Sequence, residues 1–185
     1  MPATLEREVK LRFEDADTAR AAILAAGGTP VRGRRMQEDC LLDTPDDELR
    51  ARRSVLRVRV ESGKSLLTFK GPVQPALTKV REELETVVGD GAVVVRMLER
   101  LGFRVWFRYQ KYREEFALDD VLIALDETPV GTFVEIEGGD RGIAETAEAL
   151  GRGPGDYLVD SYRRLYLDDC EARGIAVADM VFDDE

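Results

Sequence analysis

Like-charged residues stand two positions apart in five short segments of this chain. The five pairs are Glu6 and Glu8, Glu83 and Glu85, Glu135 and Glu137, Arg57 and Arg59, and Lys111 and Arg113. A period of two residues is the period of a β-strand, so both members of a pair point to the same face of a sheet. If several such faces line one interior, the carboxylates can bind divalent cations while the arginines and lysines bind the oxygens of a polyanion.

Phosphoryl transfer is the chemistry that suits such an interior. A triphosphate carries several negative charges along a short linear chain, and cations from different strands can hold successive phosphates. Mg²⁺ or Mn²⁺ on carboxylates bridges phosphate oxygens and offsets charge in the transition state. Because phosphoryl transfer needs little covalent help from the protein, a site without histidine, serine or cysteine is adequate.

The composition excludes several other kinds of site. The 185 residues include no histidine and two cysteines, Cys40 and Cys170, and the net charge is −10. The lack of histidine excludes Ser-His-Asp and Cys-His nucleophilic sites and disfavours zinc. The two cysteines lack metal-binding spacing and are expected to be free thiols. The acidic balance argues against bulk attraction to nucleic acid or to an anionic membrane.

We expect a single cytoplasmic domain over residues 1–185. No apolar run approaches the roughly 20 residues that span a bilayer, and the first residues lack the apolar core of a signal peptide. The acidic tail, about 176–185, is predicted to be flexible. No membrane or nucleic-acid partner is expected, and the oligomeric state is left open, with a homodimer as one option.

The elements that position the charged pairs follow from hydrophobic periodicity. Alternating polar and apolar residues predict strands at 5–13, 34–43, 53–61, 65–70, 79–88, 103–117, 120–126 and 132–137. Helical spacing predicts helices at about 18–26, 91–101, 140–150 and 156–172, the first of them capped at Asp17-Thr18. The predicted fold class is α+β, a closed eight-stranded antiparallel β-barrel with helices packed outside.

Two arrangements of the charged faces are open. Charges that alternate along an antiparallel strand usually form a solvated face. Here the polar faces are almost wholly ionic, whereas a solvated face also accepts Ser, Thr, Asn and Gln. The opposite faces are apolar, as at Leu56, Val58 and Val60, and need a cover that the helices can supply. If the helices lie outside, the ionic faces turn inward around a wet cavity, because burying unpaired charges is prohibitive.

Six motifs occur in the order found in the CYTH superfamily, also called triphosphate tunnel metalloenzymes, and resemble its members. They are Glu6-x-Glu8-x-Lys10, Leu56-Arg57-Val58-Arg59, Leu67-Thr68-Phe69-Lys70-Gly71-Pro72, Arg81-Glu82-Glu83-Leu84-Glu85, Lys111-Tyr112-Arg113, and the segment from Leu125-Asp126 to Glu135-Ile136-Glu137. Ser161-Tyr162 resembles a short element in the family's C-terminal helix. The first motif alone is a weak signal, but the ordered set over about residues 5–137 is specific.

The resemblance implies a tunnel that binds a small triphosphate-containing substrate with Mg²⁺ or Mn²⁺. It implies metal ligands at Glu6, Glu8, Asp126, Glu135 and Glu137, with a contribution from Glu83 or Glu85. It implies phosphate-binding cations at Lys10, Arg57, Arg59, Lys70, Lys111 and Arg113. Members of the family hydrolyse inorganic tripolyphosphate, thiamine triphosphate or nucleoside triphosphates, and one branch, the class IV adenylyl cyclases, makes cyclic AMP from ATP.

We therefore expect a metal-dependent triphosphatase with Lys111 and Glu137 as candidate catalytic residues. Lys111 is a candidate partner for the attacking water, because a lysine among other cations can have a lowered pKa. An adenylyl cyclase is the alternative, disfavoured because bacterial class IV cyclases share a His-Phe pair ahead of the glutamates that this chain lacks. A polyphosphate- or nucleotide-binding module without catalysis is the third option, and the intact acidic pairs argue against it.

Overall fold

The computed structural model describes residues 4–183, which form eight strands and five α-helices. The strands are β1 (Thr4–Phe13), β2 (Thr29–Asp43), β3 (Val55–Glu61), β4 (Lys64–Lys70), β5 (Lys79–Val88), β6 (Arg104–Leu118), β7 (Val121–Thr128) and β8 (Gly131–Glu137). The helices are α1 (Ala16–Ala25), α2 (Glu48–Ala51), α3 (Gly91–Arg100), α4 (Asp140–Ala149) and α5 (Tyr162–Arg173). Within the described range, no helix combines the length and apolar character that a membrane crossing requires.

The eight strands form one closed antiparallel barrel in the order β1-β5-β4-β3-β2-β6-β7-β8. The ladder between β1 and β8 closes the ring, with Glu8 opposite Glu137 and Lys10 opposite Glu135. Closure pairs both edges of the sheet and gives each strand one inner and one outer face. The predicted closed eight-stranded α+β barrel is confirmed.

The main apolar core lies outside the barrel. Leu11 on β1, Ile123 on β7 and Ile136 on β8 are fully buried, and Ile23 of α1 and Ile143 of α4 pack against them. Because side chains alternate along a strand, burial of this outer face turns the charged residues between these positions toward the interior. The helices thus select which face of the sheet becomes the cavity wall.

Helix α5 departs from the predicted packing, because it reaches into one end of the barrel. Its Tyr162 ring meets the interior-facing ring of Phe133 edge-on, with centroids 5.5 Å apart. Tyr166 lies 5.9 Å from Phe107 on β6, measured between ring centroids. These contacts form a second apolar cluster, which covers part of the cavity with the start of α5.

Several element boundaries differ from the predicted ones. The carboxylate of Asp15, instead of Asp17-Thr18, caps α1 by accepting the Thr18 N–H at 2.7 Å. Strand β2 begins at Thr29, five residues before its predicted start, and the short helix α2 was not predicted. Helix α5 begins at Tyr162 instead of 156, because the preceding segment forms backbone hydrogen bonds with β1.

The C-terminal segment contacts the barrel where the sequence predicts a flexible tail over 176–185. Met180 is 1% exposed, its N–H donates to the Arg108 carbonyl, and its carbonyl accepts the Gln110 N–H. The rings of Phe182 and Tyr112 lie 5.3 Å apart. Two apolar anchors among the acidic residues therefore hold this segment against β6. Residues 184 and 185 lie outside the described part of the chain.

Candidate functional site

A cavity of about 1040 Å³ runs through the barrel. Twelve of the thirteen predicted site residues line it: Glu6, Glu8, Lys10, Arg57, Arg59, Lys70, Glu83, Glu85, Lys111, Arg113, Glu135 and Glu137. The thirteenth, Asp126, is fully buried on β7 and contacts the cavity-lining cations. The structure therefore brings the predicted residues together around one space.

The ladders of the sheet explain why these residues meet. Lys70 on β4 lies opposite Glu83 on β5, and Lys10 on β1 lies opposite Glu135 on β8. Residues that face each other across an antiparallel pair share one side of the sheet. Opposite charges from neighbouring strands thus alternate around the inner wall.

Four carboxylates form an acidic cluster at one side of the cavity: Glu6, Glu8, Glu83 and Glu137. Desolvation, followed by repulsion from the other three, raises the pKa of Glu137 to about 7, although its side chain is open to solvent where β8 ends. Burial and the neighbouring Glu8 also raise the pKa of Glu6. Both shifts favour the neutral carboxylic acid. For Glu8, the cations Lys10 and Lys79 outweigh burial and hold the pKa well below its ordinary value.

Side-chain cations balance part of the acidic cluster. The Nζ atom of Lys70 lies 2.6 Å from Oε1 of Glu6, and Nε of Arg81 lies 3.1 Å from Oε2 of the same residue. The Nζ atom of Lys79 lies 2.7 Å from Oε1 of Glu8. Burial and the neighbouring Lys10 lower the pKa of Lys79 to about 8, against the attraction of Glu8.

A second cluster surrounds Asp126. Its carboxylate accepts hydrogen bonds from Nζ of Lys111 and Nε of Arg113, each at 2.7 Å, and from the Tyr162 hydroxyl at 2.6 Å. Arg113 also contacts Glu135. Because its oxygens are already bonded to protein donors, Asp126 in this arrangement orients two predicted phosphate-binding cations. Its role as a metal ligand stays a prediction.

In the second cluster, the pKa values of Lys111 and Glu135 are both lowered. Burial and the guanidinium of Arg113 lower the pKa of Lys111 to about 8, against the attraction of Asp126 and Glu135. An amine with this pKa is partly neutral at mildly alkaline pH. For Glu135, the cations Lys10 and Arg113 outweigh burial and hold the pKa well below its ordinary value, so Glu135 is ionised near neutral pH.

Arg57 and Arg59 face the cavity from β3 and are oriented by Asp39 on β2. Arg59 donates two hydrogen bonds to Asp39, at 2.9 and 3.1 Å, and Nε of Arg57 lies 3.4 Å from the same carboxylate. Arg57 also donates to the Thr68 hydroxyl at 3.2 Å. Glu85, 37% exposed, lies 3.4 Å from Arg57. Within residues 4–183 the buried Nε of Arg57 lies near Asp39 without a well-aligned hydrogen bond.

The predicted set omitted several residues that line the same cavity: Arg32, Gln37, Glu61, Lys79, Arg81, Tyr109, Glu115 and Tyr162. Most of them continue a predicted alternation, as Glu61 does after Arg57 and Arg59. Extending the two-residue period to the strand ends finds these positions. Arg32 escapes that rule because a register shift interrupts β2 beside it, and Tyr162 escapes it because it belongs to a helix.

The acidic cluster fits a divalent cation by the chemistry of its donors. In the described part of the chain, no group of three or more carboxylate, thiol or imidazole side chains is already arranged as a ligand set. The donors in the cluster are all carboxylate oxygens, which Mg²⁺ and Mn²⁺ prefer. The raised pKa values of Glu6 and Glu137 are those of carboxyl groups that an added cation would stabilise as carboxylates.

Comparisons with known proteins agree with this fold and site. Residues 4–162 match the CYTH domain. A Methanocaldococcus jannaschii protein named "Putative adenylate cyclase MJ0240" is 27% identical over 147 residues, which cover 79% of this chain and 83% of that protein. The PH1012 protein of Pyrococcus horikoshii is 28% identical with a TM-score of 0.74, over 86% of this chain and 98% of that one.

A more distant structural relative is a Hippeastrum protein described as a putative adenylyl cyclase with a dominant triphosphatase activity. It has a TM-score of 0.64 at 17% identity, over 94% of this chain and 97% of that one. At that identity the likeness concerns the fold alone. The match to the CYTH domain, in contrast, covers most of the chain. This protein therefore belongs to the CYTH domain family.

Proposed function

We propose that this protein is a metal-dependent phosphohydrolase that acts on a small triphosphate-containing molecule. Inorganic tripolyphosphate, thiamine triphosphate and nucleoside triphosphates are its candidate substrates. The observation that carries the proposal is the convergence of cations and carboxylates from different strands on one cavity inside a closed barrel. Such a cavity matches a ligand that is long, linear and densely charged, and that binds together with a cation.

Cations on four strands bind the phosphate oxygens: Lys10, Arg57, Arg59, Lys70, Lys111 and Arg113. Because they come from different parts of the wall, successive phosphates of one chain bind different members of the set. Arg59 is held by Asp39 and Arg113 by Asp126. Side chains that are already oriented lose little conformational entropy when they bind a ligand.

The acidic cluster supplies carboxylates for Mg²⁺ or Mn²⁺. A cation bound there supplies Lewis acidity and offsets the negative charge of the phosphate oxygens. The predicted ligands Glu85, Asp126 and Glu135 each contact an arginine. In the acidic cluster, Glu6, Glu8 and Glu83 likewise contact a lysine or an arginine. Among the described residues, Glu137 is the member of the acidic cluster without an ion pair to a protein cation. It is also open to solvent, which suits a ligand that must take up a cation.

Hydrolysis requires a water oxygen to attack the terminal phosphorus while the bond from that phosphorus to the bridging oxygen breaks. The proton that the water loses passes to Lys111 in the fraction of molecules whose Lys111 amine is neutral, since its pKa is about 8. In that step the other five cations hold the phosphate chain. The bridging oxygen leaves with its electron pair on the rest of the chain, where the remaining cations offset its charge. The products are orthophosphate and a chain shortened by one phosphate.

Adenylyl cyclase activity is the second candidate. It is favoured by the 27% identity with the Methanocaldococcus jannaschii protein named a putative adenylate cyclase. In that reaction the 3′-hydroxyl of ATP replaces water as the nucleophile, and the products are cyclic AMP and pyrophosphate. The absence of a His-Phe pair ahead of Glu6 argues for hydrolysis.

A substrate panel with product identification tests both candidates. Tripolyphosphate, thiamine triphosphate and ATP are each incubated with the protein and either Mg²⁺ or Mn²⁺, and the products are separated. We expect orthophosphate release, whereas cyclic AMP would favour the cyclase and binding without turnover would refute both. Glu135→Gln and Glu137→Gln should lose most of the turnover, and Arg141→Gln, on the exposed face of α4, is the control. Unchanged turnover in both glutamate variants would overturn the site assignment.

A further inference from the structure

The cavity continues past the predicted phosphate-binding residues into a side pocket, which we call the arginine vestibule. It is lined by Arg50, Arg53, Trp106, Asp160, Arg163 and Arg164. These residues come from α2 and the turn after it, from β6, from the start of α5 and, for Asp160, from the segment just before that helix. Ligand cavities commonly measure roughly 300–1,000 Å³, so a total of about 1040 Å³ lies at the upper end of that range.

An indole ring holds two of the arginines in place. The guanidinium carbon of Arg50 lies 4.3 Å from the ring centroid of Trp106, and that of Arg163 lies 4.7 Å from it. Cations at this distance from an indole are attracted by its π-electrons. Arg50 is also held by the buried carboxylate of Asp43, at 3.3 Å. The two guanidinium groups are therefore positioned before any ligand binds.

Two of the four arginines in the vestibule are already paired with carboxylates. Arg50 contacts Asp43 and Asp47, and Arg164 contacts Asp168 at 2.5 Å. Among the described residues, Arg53 and Arg163 have no ion pair, and one further acid, Asp160, lines the pocket. Burial and repulsion from Arg50 lower the pKa of Arg163. Its Nε atom is buried and lacks a hydrogen-bond partner among the described residues. An anionic oxygen at this point would provide the acceptor and relieve the repulsion.

We propose that the arginine vestibule binds phosphate groups beyond the third of a linear polyphosphate. This inference rests on the proposed function and specifies its substrate class as inorganic chains of four or more phosphates, in preference to nucleoside triphosphates. A further phosphate brings both negative charge and acceptors for the planar guanidinium groups. The sugar and base of a nucleotide bring no negative charge. In addition, two guanidinium groups already lie against the Trp106 ring, where they compete with stacking by a base.

The test compares kcat/KM for tetrapolyphosphate, tripolyphosphate and ATP in the wild-type protein and its variants. In Arg163→Gln, the ratio of the tetrapolyphosphate value to the tripolyphosphate value should fall about tenfold, the size expected for one charge-assisted hydrogen bond. Arg53→Gln should lower it less, because Arg53 is exposed. Arg163→Lys should restore part of the ratio. Arg141→Gln, a matched loss of one exposed arginine, should leave it unchanged.

Two results would overturn the vestibule as a polyphosphate site. One is an unchanged ratio in Arg163→Gln, and the other is a loss confined to ATP, which would assign the pocket to a nucleoside. Failure of the proposed function is distinguishable, since the wild-type protein would then hydrolyse none of the three substrates. In that case, calorimetric titration of wild-type and Arg163→Gln protein with tetrapolyphosphate still tests the vestibule, and equal affinities would reject it.

Discussion

Asp126→Asn tests how charge is balanced inside the barrel. The buried carboxylate accepts hydrogen bonds from Lys111, Arg113 and Tyr162, at 2.5 to 2.7 Å. The substitution keeps the shape of the side chain and leaves two buried cations with one carboxylate fewer. Removing one partner of a buried ion pair lowers the free energy of unfolding by roughly 3–5 kcal/mol. We expect about 3 kcal/mol, the low end of that range, because Glu135 still contacts Arg113.

The stability that Asp126→Asn loses should depend on pH. Wild-type Lys111 has a pKa of about 8, and Asp126 is one of the groups that raise it, so its pKa in the variant is lower still. Because the folded pKa of this lysine lies below its ordinary value of about 10.4, the unfolded chain binds the proton more tightly between the two values, and stability increases with pH there. Deprotonation removes one of the two uncompensated charges. The difference in free energy of unfolding between wild type and Asp126→Asn should therefore decrease as the pH is raised from about 7 to about 9.

Urea unfolding followed by circular dichroism, at about pH 7 and about pH 9, measures both effects. At about pH 7, the expected loss lowers Tm by roughly 6–12 °C for a chain of this size. Tyr162→Phe is the matched control, because it removes one hydrogen bond to Asp126 and no charge, and should lower the free energy of unfolding by about 1 kcal/mol. Adding Lys111→Met to Asp126→Asn should recover part of the stability. If Asp126→Asn lowers the free energy of unfolding by less than about 0.5 kcal/mol, the reasoning is refuted, because solvent would then stabilise both cations without the carboxylate.

Three further predictions follow from the other titrating groups. Desolvation and neighbouring carboxylates raise the pKa of Glu137 to about 7, so its ionisation destabilises the fold as pH rises. Without metal, Glu137→Gln should therefore have a higher Tm than wild type above pH 7 and an equal Tm near pH 4. Lys111→Met should lose most turnover and abolish the rise of kcat with pH that is centred near pH 8 in the wild type. For Glu61, hydrogen bonds from Gln37 and Arg35 outweigh burial and lower the pKa to about 2. The resulting stability is lost as pH falls from about 4.5 toward 2, so Glu61→Gln should have a lower Tm than wild type near pH 7 and match it near pH 2.

Each of these predictions has a control and a contradicting result. Glu145→Gln, on the exposed face of α4, controls for the loss of a surface carboxylate and should change neither Tm nor turnover. Equal Tm values of Glu137→Gln and wild type above pH 7 would show that the acidic cluster is not strained by repulsion. A persisting rise of kcat in Lys111→Met would assign the proton transfer to another group. A Tm difference for Glu61→Gln that remains near pH 2 would indicate a packing effect.

The alternation of residue types determined the fold class and most of the cavity wall. In β1, for instance, Glu6, Glu8 and Lys10 alternate with apolar Val9 and Leu11, and such a strand has one charged and one apolar face wherever it lies. The need to bury the apolar face under helices then directed the charged face inward. These inferences depend on local periodicity, which a sequence displays directly, and the cavity contains the residues that they selected.

Contacts between residues that are far apart in the chain were decided by the tertiary structure alone. A strand period states which face a carboxylate occupies, but closure and register determine that Asp39 holds Arg57 and Arg59 across the β2–β3 ladder. Helix α5 likewise brings Tyr162 to Asp126, 36 positions away. Pairing energies depend on distance and desolvation in three dimensions. Residue identities therefore set the chemistry of the wall, while folding set which charges neutralise one another and which remain free for a ligand.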